Sequence, residues 1–171
     1  MLQVAPASSG LLFFSVLYRP EVELHLKRFD DLFGELISYR PSVNPLRQYY
    51  AREMGEPLER IFFVSTKTYA REFLLSTKLL AQNWEAEFAI SQKRQMNIDV
   101  GFISLENFIL ATTKNYSHRV FIGQNIFADL TYQFINGTFE PLPWCYPDYQ
   151  DEEKKKFLNW CRTFLLMQSA R

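Results

Sequence analysis

One stretch constrains the fold of this chain more than any other. Leu11-Leu12-Phe13-Phe14-Ser15-Val16-Leu17-Tyr18 is nearly continuous in apolar and aromatic residues. Such a run reads as a strand buried on both faces. Pro20 then stands where a helix can begin, because the first turn has no use for its missing N–H. Val22, Leu26, Phe29 and Phe33 follow as one stripe of an amphipathic helix, and Gly34 ends it as a left-handed cap. Residues 35–39 form a short second strand, and Pro41, Asn44 and Pro45 make the next segment irregular. Residues 47–55 are polar and aromatic and lead to a turn at Gly55 and Pro57; residues 60–65 are a third strand. A long helix is predicted from about Thr68 to Ile90, with Tyr69, Phe73, Leu80, Trp84 and Phe88 on one side, followed by an extended segment over 95–102. The order β-α-β-β-α-β is that of a ferredoxin-like split βαβ sandwich.

The second half differs. Residues 105–111 suit either a strand or a short helix capped by Ser104. Residues 119–122, 126–135 and 138–142 read as a β-meander, with Asn136-Gly137 as a two-residue hairpin. In the middle strand Ile126, Ala128, Leu130, Tyr132 and Phe134 alternate with Phe127, Asp129, Thr131 and Gln133, so one face is expected buried and the other polar. A last helix follows Pro147-Asp148. Its acids Asp151, Glu152 and Glu153 precede Lys154, Lys155 and Lys156, in accord with the helix dipole, and the lysines read as a solvated turn. Phe157, Cys161, Phe164 and Leu165 form its packing face. The expectation is one compact α+β domain over residues 1–171, with a mostly antiparallel sheet, a ferredoxin-like first half, a β-meander and a C-terminal helix.

Nineteen basic and nineteen acidic residues cancel, which argues against a coat for nucleic acid or anionic membrane. The amino terminus lacks a basic residue, and the apolar run after it is too short for a signal peptide or a membrane span. Cys145 and Cys161 alone make neither a disulfide framework nor a zinc pattern, and the expected location is cytoplasmic. The scattered glycines form no phosphate-cradling loop.

The residues that core building does not explain lie late in the chain. Lys114, His118 and Arg119 stand among the turn formers Asn115 and Ser117, on a segment linking residues 105–111 to the meander. A point charge, a proton-exchanging donor and a planar fork together suit a phosphate or carboxylate. The competing reading pairs Lys114 and Arg119 with Asp99, Asp129 or Asp148, while His118 fastens a turn. Asp99 and Asp129 are also candidates for a carboxylate pair, but the clustered oxygens of a metal site are missing. Trp144 and Tyr146, fenced by Pro143 and Pro147, are either a lid over the sheet or an aromatic wall for a ligand. Tyr50 and Glu53 divide in the same way, with Glu53 expected to face Lys114 and Arg119 across a cleft.

Four motifs carry a family resemblance: Tyr49-Tyr50-Ala51-Arg52-Glu53-Met54-Gly55, Asn97-Ile98-Asp99-Val100-Gly101, Ala111 through Arg119, and Pro141 through Tyr149. Over about residues 10–160 the chain resembles the bacterial and archaeal proteins grouped as domain of unknown function 4416. It departs from that pattern at Val100 (proline there), Cys145 (threonine), Ala81-Gln82 (threonine-asparagine) and Asn107 (lysine). The resemblance implies no activity, cofactor or metal. The leading expectation is a pocket for a small anionic or phosphorylated ligand, a nucleotide among them, with His118 as the candidate for acid–base work. The alternative is a non-catalytic interaction module that binds a protein partner or forms a homodimer.

Overall fold

The computed structural model describes residues 9–42 and 47–169. The expectations for residues 1–8, for Asn44 and Pro45 and for the side chain of Asp148 lie outside the described residues. Eight strands form one antiparallel sheet: β1 (Leu11–Tyr18), β2 (Leu36–Tyr39), β3 (Glu59–Ser65), β4 (Met96–Ile103), β5 (Asn107–Thr112), β6 (Arg119–Gly123), β7 (Ile126–Ile135) and β8 (Thr138–Pro141). Their order is β2-β3-β1-β4-β5-β7-β6, with β8 also on β7. The first four strands thus stand in the order β2-β3-β1-β4, and nothing in that arrangement conflicts with a split βαβ sandwich.

Two layers explain why β1 is buried throughout. Leu12, Phe14, Val16 and Tyr18 face α1 (Lys27–Phe33) and α3 (Phe73–Glu87), where Phe29, Phe33, Leu74, Ala81 and Trp84 complete the core. Leu11 and Phe13 face α4 (Glu152–Ser169) with Phe62, Phe108, Tyr132, Leu158, Cys161 and Leu165. A third, small cluster seats α2 (Arg47–Met54) through Met54 on Leu17 and Leu58.

Several elements differ from expectation. The first helical stretch begins as a 3-10 helix, Pro20–Leu26, and becomes α-helical only at Lys27, although Val22, Leu26, Phe29 and Phe33 are all buried. Residues 47–54 form a helix, ended by Gly55 at φ 80. α3 starts at Phe73, not Thr68, because Tyr69 instead pairs with Gly10 in an isolated bridge. Its buried face is Leu74, Thr77, Lys78, Ala81, Trp84 and Glu85, while Phe73 is exposed. Of the two alternatives for the segment after Ser104, residues 107–112 take the strand; Ser104 closes the β4–β5 turn by accepting the N–H groups of Glu106 and Asn107. Lys154 is buried against Asp151, so the lysine run is not wholly solvated. Among the described residues no helix is long and apolar enough to cross a membrane.

β7 carries the change that matters for the site. Phe108 pairs with Tyr132 and Ile109 with Leu130, which leaves Thr131 as a bulge. The extra residue reverses the side-chain alternation, and Asp129 comes to the α4 face with Tyr132. Asp129 and Thr131, expected on a solvated face, are 3% and 1% exposed.

Candidate functional site

Where β4 begins, the sheet parts. β4 and β5 pair from Val100↔Ala111 to Ile103↔Phe108, and Gly101 lets them approach closely: a Cβ there would meet Phe108 Cε2 at 2.7 Å. Before Val100 the strands separate. β5 stays on β7 through Thr112↔Phe127, and the chain bends at Thr113. The gap holds a cavity of about 390 Å³, lined from both faces of the sheet. That size suits a small molecule.

α3 supplies one wall. Lys78 Nζ donates to the Ile98 carbonyl at 2.9 Å, and Glu85 accepts the Ile98 N–H at 2.5 Å. Burial pushes the Glu85 carboxyl above its ordinary pKa, opposed by Lys78, by the Ile98 N–H and by Arg94. Asn97, Asp99 and Arg94 form the next side. Arg94 grips both Glu53 carboxylate oxygens, at 2.6 and 2.8 Å, donates to Asn97 Oδ1 at 2.8 Å and lies 3.6 Å from Glu85. Its hydrogen bonds hold the Glu53 carboxyl below the usual range. Glu53 therefore meets Arg94, not Lys114 or Arg119 as the sequence suggested. That pair also ties α2, with Tyr49 and Tyr50, to the cavity mouth.

Thr112, Thr113, Lys114 and Asp129 line the opposite wall, beneath Tyr146 and Tyr149. The strap over residues 142–150 brings these tyrosines in. Leu142 N donates to the bulged Thr131 carbonyl at 3.0 Å, and Trp144 Nε1 to the Leu130 carbonyl at 2.8 Å. Arg119 sits behind this wall, its side chain 3% exposed. It bonds Asp129 through Nε at 2.7 Å, the Lys114 carbonyl through Nη1 at 2.8 Å and Tyr146 Oη through Nη2 at 2.7 Å. Burial opposes its charge, but Asp129 and Tyr146 outweigh burial and raise its pKa. His118 Nε2 lies 3.3 Å from the same Asp129 oxygen, and its ring stacks on Trp144 at 5.0 Å.

The nine candidate residues thus separate. Tyr50, Asp99, Lys114, Asp129 and Tyr146 line the cavity. His118, Arg119, Trp144 and Glu53 stand outside its lining; His118, Arg119 and Glu53 fix residues that do line it, while Trp144 holds the Leu130 carbonyl and stacks on His118. Lys78, Glu85 and Arg94 were missed by sequence reasoning. A usable signal was present, since Lys78 and Glu85 lie two turns apart on the face that also carries Ala81 and Trp84. Among the described residues no group of three His, Cys, Asp or Glu side chains could hold a metal ion.

The motifs Asn97–Gly101, Ala111–Arg119 and Pro141–Tyr149 all meet at this cavity. Comparison with curated proteins and with solved structures finds no match. Residues 8–164 match the model of a family described as Domain of unknown function (DUF4416), and the chain belongs to that family.

Proposed function

We propose that the cavity between β4 and β5 binds a small anionic or phosphorylated molecule, with nucleotides and sugar phosphates as the first classes to test. One observation carries this reading: a cavity of about 390 Å³ is lined by Lys78, Arg94 and Lys114 together with the rings of Tyr49, Tyr50, Tyr146 and Tyr149. Arg94 is matched by Glu53, and Lys78 is occupied by Ile98. Lys114 is then the cation assigned to the guest's anionic group. Asp99 and the Thr112 and Thr113 hydroxyls would accept from hydroxyl or amino groups on the same guest, and the tyrosine rings would cover its apolar part. In this reading His118 and Arg119 position the wall through Asp129 and do not touch the guest.

Thermal-shift measurement against nucleotides, sugar phosphates and divalent metals tests the proposal. A guest at a hundredfold its dissociation constant adds about 2.7 kcal/mol of stability. Lys114→Ala should abolish the shift, and Val120→Ala, far out on β6, should leave it intact. A flat panel counts against the proposal.

A second reading, self-association through β6, is supported by the exposure of Val120 at 68% and Phe121 at 60% on a strand at the sheet edge. Sedimentation equilibrium decides it: a monomer at every concentration removes it. The burial of the cysteines Cys145 and Cys161 supports a reducing, cytoplasmic setting.

A further inference from the structure

The parting of β4 from β5 has a specific occupant at its fork. The residues of β4 that turn their main-chain groups toward β5 alternate, so Phe102, Val100 and Ile98 form one series. Val100 pairs with Ala111, and the same register carried two residues further sets Ile98 against Thr113. That rung is not made. Both main-chain groups of Ile98 are taken by α3 side chains, the carbonyl by Lys78 and the N–H by Glu85.

Lys78 and Glu85 are 7% and 9% exposed. Burying an ammonium and a carboxylate is costly unless each finds its partners. Here each satisfies one half of the same residue's hydrogen bonding, as a strand neighbour would. The charges also stand near enough for Lys78 to oppose the burial effect on Glu85. Gly101 marks the closed end of the fork and Thr113 the open end, only one rung beyond the last paired residues.

We infer that Lys78 and Glu85 are positioning residues that stand in for a strand at Ile98, hold β4 and β5 apart, and thereby create the cavity. Its consequence for ligand affinity rests on the binding reading above; the parting of the strands does not.

NMR on the isotope-labelled full chain tests this without any ligand. In the native protein the Ile98 amide should show through-hydrogen-bond coupling to the Glu85 carboxyl carbon. In Lys78→Met/Glu85→Met, which removes both charges together, cross-strand NOEs should appear between Ile98 and Thr113. Affinity for any guest found in the panel should then fall at least tenfold. Coupling from Ile98 to the Thr113 carbonyl in the native protein would overturn the inference. So would a folded double variant whose strands stay parted. If the double variant does not fold, the native coupling decides alone. A flat ligand panel beside the predicted coupling and closure defeats the binding reading and leaves this inference standing. A positive panel without them does the reverse.

Discussion

Asp129 organises the wall of the site, because its buried carboxylate receives Arg119 and faces His118. Removing one partner of such a pair leaves an uncompensated and largely buried charge. Arg119→Met should therefore destabilise the protein by about 3–5 kcal/mol in urea unfolding. Arg119→Met/Asp129→Leu should recover much of that loss. Glu85 makes a prediction of different sign. Its pKa is raised in the folded state by burial, so the native protein holds this proton more tightly than the unfolded chain. Stability from this group is complete below its ordinary pKa of 4.5 and is lost as pH rises above that value. Glu85→Gln removes the titration but keeps an acceptor for Ile98. The unfolding free energy of the native protein relative to Glu85→Gln should thus decline as pH rises above 4.5. A flat or rising difference would contradict the burial argument. Sequence alone left Arg119 open between an anion and an internal acid, since spacing does not say which acid folding brings near.

The parted pair β4–β5 shows which parts of an element can be read from a sequence. β1 and β3 were legible because continuous apolar runs have few other homes. The α3 face departs from expectation at Phe73, which is exposed, and at Lys78 and Glu85, which are buried there for their hydrogen bonds to one main-chain residue. The polar residues of β7 were misplaced for a related reason: the bulge at Thr131 changes which side chains share a face, and no residue type in that run announces it. Gly101 is the element-scale test of the closed end. An added methyl would lie 2.7 Å from Phe108 Cε2 and 3.0 Å from the Ile109 carbonyl. Gly101→Ala should cost about 1–3 kcal/mol through overpacking, measured by thermal or urea unfolding. No measurable cost would mean that β4 and β5 are not closely apposed at this point.

At the scale of the molecule, one sheet separates the two larger cores and opens at the fork between β4 and β5, where segments distant in sequence meet. α2 brings tyrosines to the mouth, α3 supplies the buried pair, and the strap before α4 covers the top. The α+β class and antiparallel sheet followed from the order of apolar segments. The fork did not, because it depends on a strand pairing that stops early and on side chains replacing a rung. This arrangement puts Lys114, which is exposed to solvent, and Asp99 on facing walls of one open cavity. The most direct test of the account is a titration of the labelled protein, followed by amide shifts, with each class of anionic molecule that raises the melting temperature. The account predicts perturbations centred on Ile98, Asp99, Thr113, Lys114 and Tyr146 that vanish in Lys114→Ala. Perturbations confined to β6 around Val120 and Phe121, with those residues silent, would contradict it.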